Sequence, residues 1–559
     1  MSTDQRLELQ HVLPALVDTG LVTPDLAKRL SAQPANNAQH PLECIATHGP
    51  CLEALTQWLA RHVEQPYLRI DPLKINVATL VPLMSHGFAQ RHGILAVAVD
   101  AQTVTIASAQ PHLTGWEAGL AQVLKRRIRR VVANPQDIRR YIDEFYRLAK
   151  SVSGADQKIA APGHFEPLNL GASDQEPDAN DAHIVNIVDW LLQYAFGQRA
   201  SDIHIEPCRE QGCVRFRIDG LLHDVYQFPP QVTVAVVSRL KSLGRMNVAE
   251  KRKPQDGRVK TKTPAGIEVE LRLSTLPTAF GEKLVMRIFD PQVLLKGFDQ
   301  LGLSNEDQQR WQSMTRQANG ILLVTGPTGS GKTSTLYTTL RQLATRDVNL
   351  CTVEDPIEMV EPTFNQMQVQ HNIDLTFASG LRALLRQDPD IIMVGEIRDQ
   401  ETAEMAIQAA LTGHLVLSTL HTNDAPSAIS RLQELGIAHY LIKATLIGVM
   451  AQRLVRVLCP QCKRATGETF EAIGCADCRN SGYQGRAGVY EIMLIDEPLK
   501  ALITPGVDVQ ALRRAAITHG MRSLRMAGIQ KVQAGLTTMA EVLRVTPGDS
   551  ETNPLIVRA

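Results

Sequence analysis

A glycine-rich segment in the middle of the chain has the residue types and spacing of a phosphate-binding loop. It follows the apolar run 321–325 and comprises Gly326, Pro327, Thr328, Gly329, Ser330, Gly331, Lys332, Thr333 and Ser334. In this G-x4-G-K-T pattern, small residues let backbone N–H groups curl around phosphates at the start of a helix. Lys332 adds positive charge, and the Thr333 hydroxyl is a ligand for magnesium. The segment predicts a nucleotide site with Mg²⁺, and the flanking strand and helix argue against a chance turn.

Carboxylates suited to Mg²⁺ and to an attacking water follow downstream. Glu354 and Glu358 lie in the segment VEDPIE, at the end of an apolar strand that begins at Leu350. Glu396 ends a second apolar strand, which has the shape of a Walker B strand with Gly395 at the usual aspartate position. That replacement indicates a water-mediated metal contact. Glu396 is predicted to orient or deprotonate the attacking water, and Glu358 is the alternative.

A histidine follows a third apolar strand. The run 415–420 leads directly into His421. A single histidine is more often a satisfied core residue than a catalyst. Its position beside the other strand ends favours a role in sensing the γ-phosphate or in relaying its presence to a neighbouring subunit.

Four of the nine cysteines form two C-x2-C pairs. They are Cys459, Cys462, Cys475 and Cys478, with 12 residues between the pairs. Thiolates at this spacing can close a tetrahedral Zn²⁺ site. Four protein ligands leave no open coordination position, so the predicted zinc is structural. Four reduced structural thiols are the alternative.

Length and composition indicate a soluble protein of several domains. The chain has 559 residues, 44% of them hydrophobic and 4% aromatic, with 58 basic and 58 acidic side chains. Zero net charge argues against a protein built mainly to hold nucleic acid. No signal peptide and no stretch of about 18 apolar residues are visible, so we expect a cytoplasmic protein.

Changes in pattern along the chain predict its domains. We expect a small mixed domain at 1–150, a linker at 151–182, a second α+β domain at 183–300, an ATPase domain at 301–546 that includes a zinc-binding insertion at 457–480, and a tail at 547–559. Alternation of strands and helices after 301 indicates a parallel sheet covered on both faces. The basic run 125–130, KRRIRR, is interpreted as a solvated edge rather than a docking surface for anionic lipid or an acidic partner.

Five further segments carry a family resemblance. They read ASDIHIEP at 200–207, RIDG at 217–220, KRKPQDGR at 251–258, LVLSTLHTN at 415–423 and AQRLVR at 451–456. The phosphate loop, the two acidic strand ends and the strand end that carries His421, in this order along the chain, resemble the secretion ATPase superfamily, and these five segments add to that resemblance. More narrowly, the chain resembles the assembly ATPases of type II secretion and type IV pili over about 183–546.

The resemblance implies a fold, partners and further site residues. It implies a RecA-like P-loop ATPase domain, preceded by a PAS-like α+β domain, and a homohexamer that hydrolyses ATP. Arg272 and Arg287 of the preceding domain are implied to reach the γ-phosphate. The implied partners are an inner-membrane platform protein and its cytoplasmic docking partner, with peripheral association at that membrane. The family's zinc insertion is shorter here.

Some relatives bind cyclic di-GMP through paired motifs of the kind R-L-G-x-x-L-V-x-x-G. Residues 16–20, LVDTG, keep the end of one such motif, and 45–49, IATHG, faintly resemble a second. The leading arginine and glycine are missing from both. We therefore expect a docking module that does not bind cyclic di-GMP.

Three other function classes are weighed against assembly. A nucleic-acid translocase is disfavoured by zero net charge and few aromatic residues. A nucleotide-gated scaffold without hydrolysis is disfavoured by Lys332 and Glu396. A retraction motor normally lacks the long front domain and the zinc insertion. The sequence leaves open whether the assembled fibre is a secretion pseudopilus or a pilus.

Overall fold

The chain folds into two compact units, Met1–Phe289 and Asp290–Ala559. A computed structural model describes residues 6–32, 39–160, 180–289, 294–475 and 477–548. Each unit is considered by itself below. Among the helices of these described ranges, none combines the length and the apolar character that a membrane span requires.

The front of the first unit is helical and precedes a small sheet. The helices are α1 Leu9–Asp18, α2 Pro24–Ser31, α3 Pro41–Ala46, α4 Leu52–His62, α5 Val77–Leu80 and α6 His86–His92, with 3-10 turns at Pro72–Lys74 and Val81–Leu83. The three-stranded sheet has the order β1 Ile94–Val99, β2 Thr103–Ser108 and β3 Arg127–Val132, with α7 Glu117–Leu124 before β3. Helix α8, Pro135–Ala160, is the last element of this part along the chain and packs on the sheet.

The second part of the first unit is an antiparallel sheet with helices. Its helices are α9 Ala182–Gly197 and α10 Pro230–Leu243. Its strands are β4 Asp202–Pro207, β5 Gly212–Ile218, β6 Leu221–Phe228, β7 Gln255–Lys262, β8 Glu268–Thr278 and β9 Gly281–Phe289, in the order β6-β5-β4-β9-β8-β7. Alternate residues of β8, such as Leu271 and Leu273, are buried, which leaves the residues between them on a polar face.

The sheet of the second unit is doubly wound. Its seven strands are β10 Gly320–Thr325, β11 Leu350–Glu354, β12 Asn365–Gln368, β13 Ile391–Val394, β14 Leu415–Leu420, β15 Leu446–Leu458 and β18 Tyr483–Leu494. The order is β12-β11-β13-β14-β10-β15-β18, and all neighbours are parallel except β15 and β18. The carboxyl ends of β10, β11, β13 and β14 therefore meet at one edge, where ligands bind in such sheets.

The helices of the second unit connect these strands and form its C-terminal end. They are α11 Phe298–Leu301, α12 Asn305–Thr315, α13 Lys332–Leu343, α14 Phe377–Leu384, α15 Gln400–Leu411, α16 Ser427–Glu434, α17 His439–Thr445, α18 Glu497–Leu502, α19 Val509–Thr518, α20 Leu524–Gln533 and α21 Met539–Val545, with a 3-10 turn at His371–Ile373. A two-stranded hairpin, β16 Lys463–Thr466 and β17 Thr469–Ala472, lies between β15 and β18.

The predicted α/β fold class is confirmed. The basic run predicted as a solvated edge lies at the edge strand β3, where Arg127 and Arg129 are exposed. Helix α8 continues to Ala160, ten residues into the predicted linker, because its amphipathic pattern extends past residue 150. Residues 161–179 of that linker and nearly all of the predicted tail, from 549, lie outside the described residues.

Candidate functional site

The phosphate loop joins strand β10 to helix α13, as its sequence pattern predicts. Gly326 and Gly331 adopt φ values of 144° and 88°, in the region that favours glycine. Lys332 is the first residue of α13, and Thr333 and Ser334 follow in the first turn. Backbone N–H groups at the start of this helix have no partner within the helix, so they are free to meet an anion.

Strand β15 lies directly against the loop. A Cβ atom added to Gly326 would lie 2.4 Å from the carbonyl oxygen of Gln452, and one added to Gly331 would lie 2.8 Å from Nε2 of Gln452. The Gln452 side chain is held in turn, because its Oε1 accepts a 2.8 Å hydrogen bond from Thr335. Glycine at 326 and 331 is therefore required by close approach as well as by conformation.

The Lys332 ammonium group bonds to the loop itself. Its Nζ donates hydrogen bonds to the carbonyl oxygens of Gly326 at 2.8 Å and Pro327 at 3.2 Å. Burial lowers the pKa of Lys332 to about 8, the nearby Glu396 carboxylate opposes that shift, and Arg453 adds to it. Lys332 is thus hydrogen-bonded to the phosphate loop and lies near two charged side chains, those of Glu396 and Arg453.

The residues present fit a nucleotide. Ser330 is 4% exposed, and its Oγ has no hydrogen-bond partner among the described residues. An orphaned hydroxyl in a loop of glycines, next to a lysine and a helix start, suits a phosphate oxygen. The half-buried Thr333 is at the position from which a P-loop hydroxyl reaches Mg²⁺.

Glu396 follows strand β13 and forms a charged cluster at the same sheet edge. Its side chain is 15% exposed; one oxygen pairs with Arg398, and the other lies 3.4 Å from Nε2 of His421. The ion pair raises the pKa of the Arg398 guanidinium. The structure therefore brings together Lys332, Glu396 and His421, three of the residues that the sequence predicts for the site.

Glu354 has a different environment from Glu396. It is 3% exposed and accepts hydrogen bonds from Tyr337 at 2.6 Å, Thr352 at 2.7 Å and Gln366 at 3.0 Å. Burial, with Glu354 as the next cause, raises the pKa of the Tyr337 phenol. Glu358 is half-buried on the loop after β11. Glu354 is thus enclosed by uncharged donors, whereas Glu396 lies beside the charged Arg398.

The two predicted arginines lie on the polar face of the first unit's six-stranded sheet. Arg272 on β8 pairs in register with Arg287 on β9, and Arg287 pairs with Asp202 on β4. Arg258 and Arg217 continue the row to either side. The Nε of Arg287 donates a 3.2 Å hydrogen bond to Asp202, and Arg287 remains 62% exposed. Two carboxylates, Asp202 and Glu270, pair with the four arginines, so the row keeps a surplus of positive charge that suits an anion.

The four predicted zinc ligands converge. The sulfur atoms of Cys459, Cys462, Cys475 and Cys478 all lie within 4.8 Å of one another. Separations of 3.8 Å, 3.6 Å and 3.8 Å for three of the pairs match the spacing of about 3.8 Å that tetrahedral Zn–S bonds of ~2.3 Å require. Backbone N–H groups of Cys475 and Gly482 donate hydrogen bonds to the Cys478 sulfur, which stabilises the thiolate form that binds a metal.

Comparison with known proteins identifies the family. The family model described as type II/IV secretion system protein matches residues 177–544. The chain belongs to this family. This membership confirms the predicted enzyme class, an ATP hydrolase of the secretion and pilus assembly type. A second family model, the MshEN domain, matches residues 63–152, a range that begins after both motif fragments at 16–20 and 45–49.

Relatives of this chain include a type IV pilus assembly ATPase and a type II secretion protein. The type IV pilus assembly ATPase TfpB of Acinetobacter baylyi is 53% identical over 542 residues, which cover 91% of this chain and 92% of TfpB. The type II secretion system protein E of Pseudomonas aeruginosa is 46% identical over 404 residues, covering 68% of this chain and 80% of that protein. The ATPase DotB of Yersinia pseudotuberculosis, 21% identical with a TM-score of 0.51 over 69% of this chain and 99% of DotB, supports the fold alone.

Three residues at the site were not among the site residues that the sequence predicts. Gln452 and Arg453 approach the phosphate loop from β15, and Arg398 pairs with Glu396. Arg453 donates a 2.9 Å hydrogen bond to Oδ1 of Asn423, and burial lowers its pKa. Gln452 and Arg453 belong to the segment AQRLVR that carries the family resemblance, and polar residues inside a largely apolar strand were the signal that sequence reasoning left unused.

Proposed function

We propose that this protein is a hexameric ATPase that drives assembly of a type IV pilus. The observation that supports this most directly is the grouping of Lys332, Glu396 and His421 around an intact phosphate loop in a member of this family. The similarity to a pilus assembly ATPase over 91% of the chain favours the pilus. The 46% identity to a type II secretion protein E supports a pseudopilus as the second candidate.

ATP binding begins with exchange of hydrogen bonds at the loop. The Lys332 ammonium leaves the carbonyl oxygens of Gly326 and Pro327 and donates to the β- and γ-phosphates instead. The N–H groups of 328–333 and the Ser330 hydroxyl donate hydrogen bonds to the remaining phosphate oxygens. Thr333 and Ser334 follow Lys332 in the first turn of α13, and Thr333 would hold Mg²⁺, which neutralises phosphate charge when bound.

Glu396 is the proposed general base. Its carboxylate orients the attacking water and takes a proton from it, while Arg398 and His421 hold the carboxylate in place. Glu358 is the alternative base. Glu354 then has a supporting role, since its oxygens are occupied by Tyr337, Thr352 and Gln366.

Arginines from the first unit supply the remaining positive charge. We propose that Arg272 and Arg287 meet the γ-phosphate as negative charge spreads over it in the transition state. Hexamer formation, contact with an inner-membrane platform protein and its cytoplasmic docking partner, and peripheral association with that membrane from the cytoplasm complete the proposal. Zinc bound by the four cysteines has a structural role, and neither nucleic acid nor cyclic di-GMP is an expected ligand.

Phosphate release in the presence of Mg²⁺ tests the enzymatic part. We expect turnover by the full chain, its loss in Lys332→Ala, and no stimulation by single-stranded DNA. Deleting the gene in its host separates the two candidates: loss of surface pili with normal protein secretion supports pilus assembly, and the reverse supports the pseudopilus.

A further inference from the structure

A buried carboxylate outside the proposed catalytic set holds the segment that carries His421. Glu491 lies on β18, is 1% exposed, and accepts hydrogen bonds from two backbone N–H groups. Ala425, four residues after His421, donates to Oε1 at 2.8 Å, and Leu524, the first residue of α20, donates to Oε2 at 3.1 Å. One side chain thus joins the histidine segment to a C-terminal helix.

Strand pairing explains why Glu491 meets this segment. Glu491 pairs with Ala451 of β15, Ala451 pairs with Thr325 of β10, and Thr325 pairs with Leu420 of β14. Residues paired across a sheet point to the same face. Glu491 therefore shares a face with Thr325, the residue directly before the phosphate loop.

Thr325 holds the same segment from the other end. Its Oγ1 accepts a 2.8 Å hydrogen bond from the backbone N–H of Thr422, and the Thr422 hydroxyl donates to the carbonyl oxygen of Asp424 at 2.8 Å. The segment 421–425 is thus fixed beside the phosphate loop by Thr325 and beside the C-terminal helices by Glu491.

A second contact reaches the segment from helix α19. Asp424 is 6% exposed; one oxygen accepts a hydrogen bond from the N–H of Ser427, and the other lies 2.8 Å from Arg513. Burial raises the pKa of Glu491 to about 7, and Asp424 contributes to that shift, whereas the N–H donors of Ala425 and Leu524 and the charge of Arg513 oppose it. These groups form one buried network, in which loss of a partner leaves a costly unpaired group.

We propose that Glu491 and Arg513 are positioning residues, which hold the segment 421–425 against the C-terminal helices α19 and α20 so that His421 stays beside Glu396. Neither residue touches a reacting atom. The proposal rests on the proposed ATP hydrolysis for its kinetic consequence, and it adds that the position of α19 and α20 affects turnover. A displacement of these helices would loosen the Glu396–His421 contact without removing any phosphate ligand.

The variant Glu491→Gln in the full-length chain tests this. The glutamine keeps the shape of the side chain, but its Nε2 is a donor and would face a backbone N–H donor at a position where the wild-type carboxylate oxygen accepts. We expect kcat to fall about tenfold or more with KM for ATP within about twofold, because the phosphate loop is intact. Amide hydrogen exchange should accelerate at Ala425 and Leu524. Glu497→Gln is the matched control, since Glu497 is 85% exposed and pairs with Lys500.

Unchanged kcat in Glu491→Gln, or unchanged exchange at Ala425 and Leu524, would overturn the proposal. If that variant does not fold, Arg513→Gln replaces it and must lower kcat with KM retained, or the proposal is wrong. A wild-type chain without ATPase activity would contradict the proposed function instead, and the exchange measurement would still decide whether Glu491 holds the segment.

Discussion

The phenol of Tyr337 donates a 2.6 Å hydrogen bond to Oε2 of Glu354, and this contact distinguishes two acids that look alike in the sequence. Both lie at the carboxyl end of an apolar strand of the same sheet. Glu354 is enclosed by uncharged donors, whereas Glu396 pairs with Arg398 and lies 3.4 Å from His421. A general base must contact the attacking water and accept its proton, so Glu396, the less enclosed of the two carboxylates, is favoured.

Replacing each acid by glutamine should therefore give different results. We expect Glu396→Gln to lower kcat by about a hundredfold or more while nucleotide binding persists, because general bases contribute roughly 10²–10⁴. Glu354→Gln should mainly lower the free energy of unfolding, by about 1–3 kcal/mol, since a buried donor is left without its acceptor. Phosphate release and denaturant unfolding of both variants check this. Equal catalytic loss with unchanged stability in the two variants would contradict the assignment.

Features of the fold that depend on a few adjacent residues could be predicted from the sequence alone. Asp219 and Gly220 predict a hairpin, and β5 and β6 meet at these residues with positive φ at both. The phosphate loop is equally local, since its glycines, lysine and threonine all lie within the short segment 326–333. Such features depend on a few adjacent residues, so the sequence alone identifies them.

Contacts between distant residues were not available from the sequence. Glu491 bonds to Ala425, 66 residues away, and Gln452 bonds to Thr335, 117 residues away. Their pairing follows from the order β10-β15-β18 within the sheet. A lone charged residue inside the apolar run VYEIML was the signal for Glu491, but no spacing rule indicates which amide it binds.

The pH dependence of nucleotide binding should report the Lys332 ammonium. In the nucleotide-free protein, burial lowers its pKa to about 8 from an ordinary value of 10.5, and phosphates restore the charged form. Above about pH 8, binding must therefore take up a proton, so Kd for ATP should rise by up to about tenfold per pH unit. Below about pH 8 the lysine is already charged, and its ionisation adds no pH dependence.

Isothermal titration between pH 7 and 9.5 measures this dependence. Proton uptake above pH 8 should appear as a binding heat that depends on the buffer. Lys332→Arg is the control, since arginine keeps its charge over this range and should flatten the pH dependence even if its affinity is lower. A wild-type affinity that stays constant to pH 9.5 would show that Lys332 does not titrate there.

Zinc removal should lower stability rather than abolish nucleotide binding. The four cysteines lie in the connection from β15 to β18, one pair on each side of the hairpin β16–β17, whereas the phosphate loop connects β10 to α13. We expect about one zinc per chain by elemental analysis. Cys462→Ser should lose the metal and reduce Tm by roughly 4–8 °C, the shift for a loss of ~2 kcal/mol in a domain of this size.

The exposed Cys51 supplies the control for the zinc prediction. Cys51→Ser also removes one thiol, and we expect it to retain zinc and Tm. A purified, unchelated wild-type chain without zinc would contradict the metal assignment. Retained zinc with a lowered Tm in Cys462→Ser would instead indicate that three thiolates suffice to hold the metal.

The arginine row should contribute to turnover and little to folding. Arg287 is 62% exposed, and its buried partner Asp202 keeps Arg217 as a second partner, so loss of Arg287 should lower the free energy of unfolding by only about 1 kcal/mol. A cation that meets the γ-phosphate in the transition state is worth much more, and we expect Arg287→Ala to lower kcat by about a hundredfold or more. Arg252→Ala is the matched control, since Arg252 is 87% exposed and pairs with Glu250. Wild-type kcat in Arg287→Ala would mean that this arginine row serves another anion, because the fold would be intact and only the predicted phosphate contact would be missing.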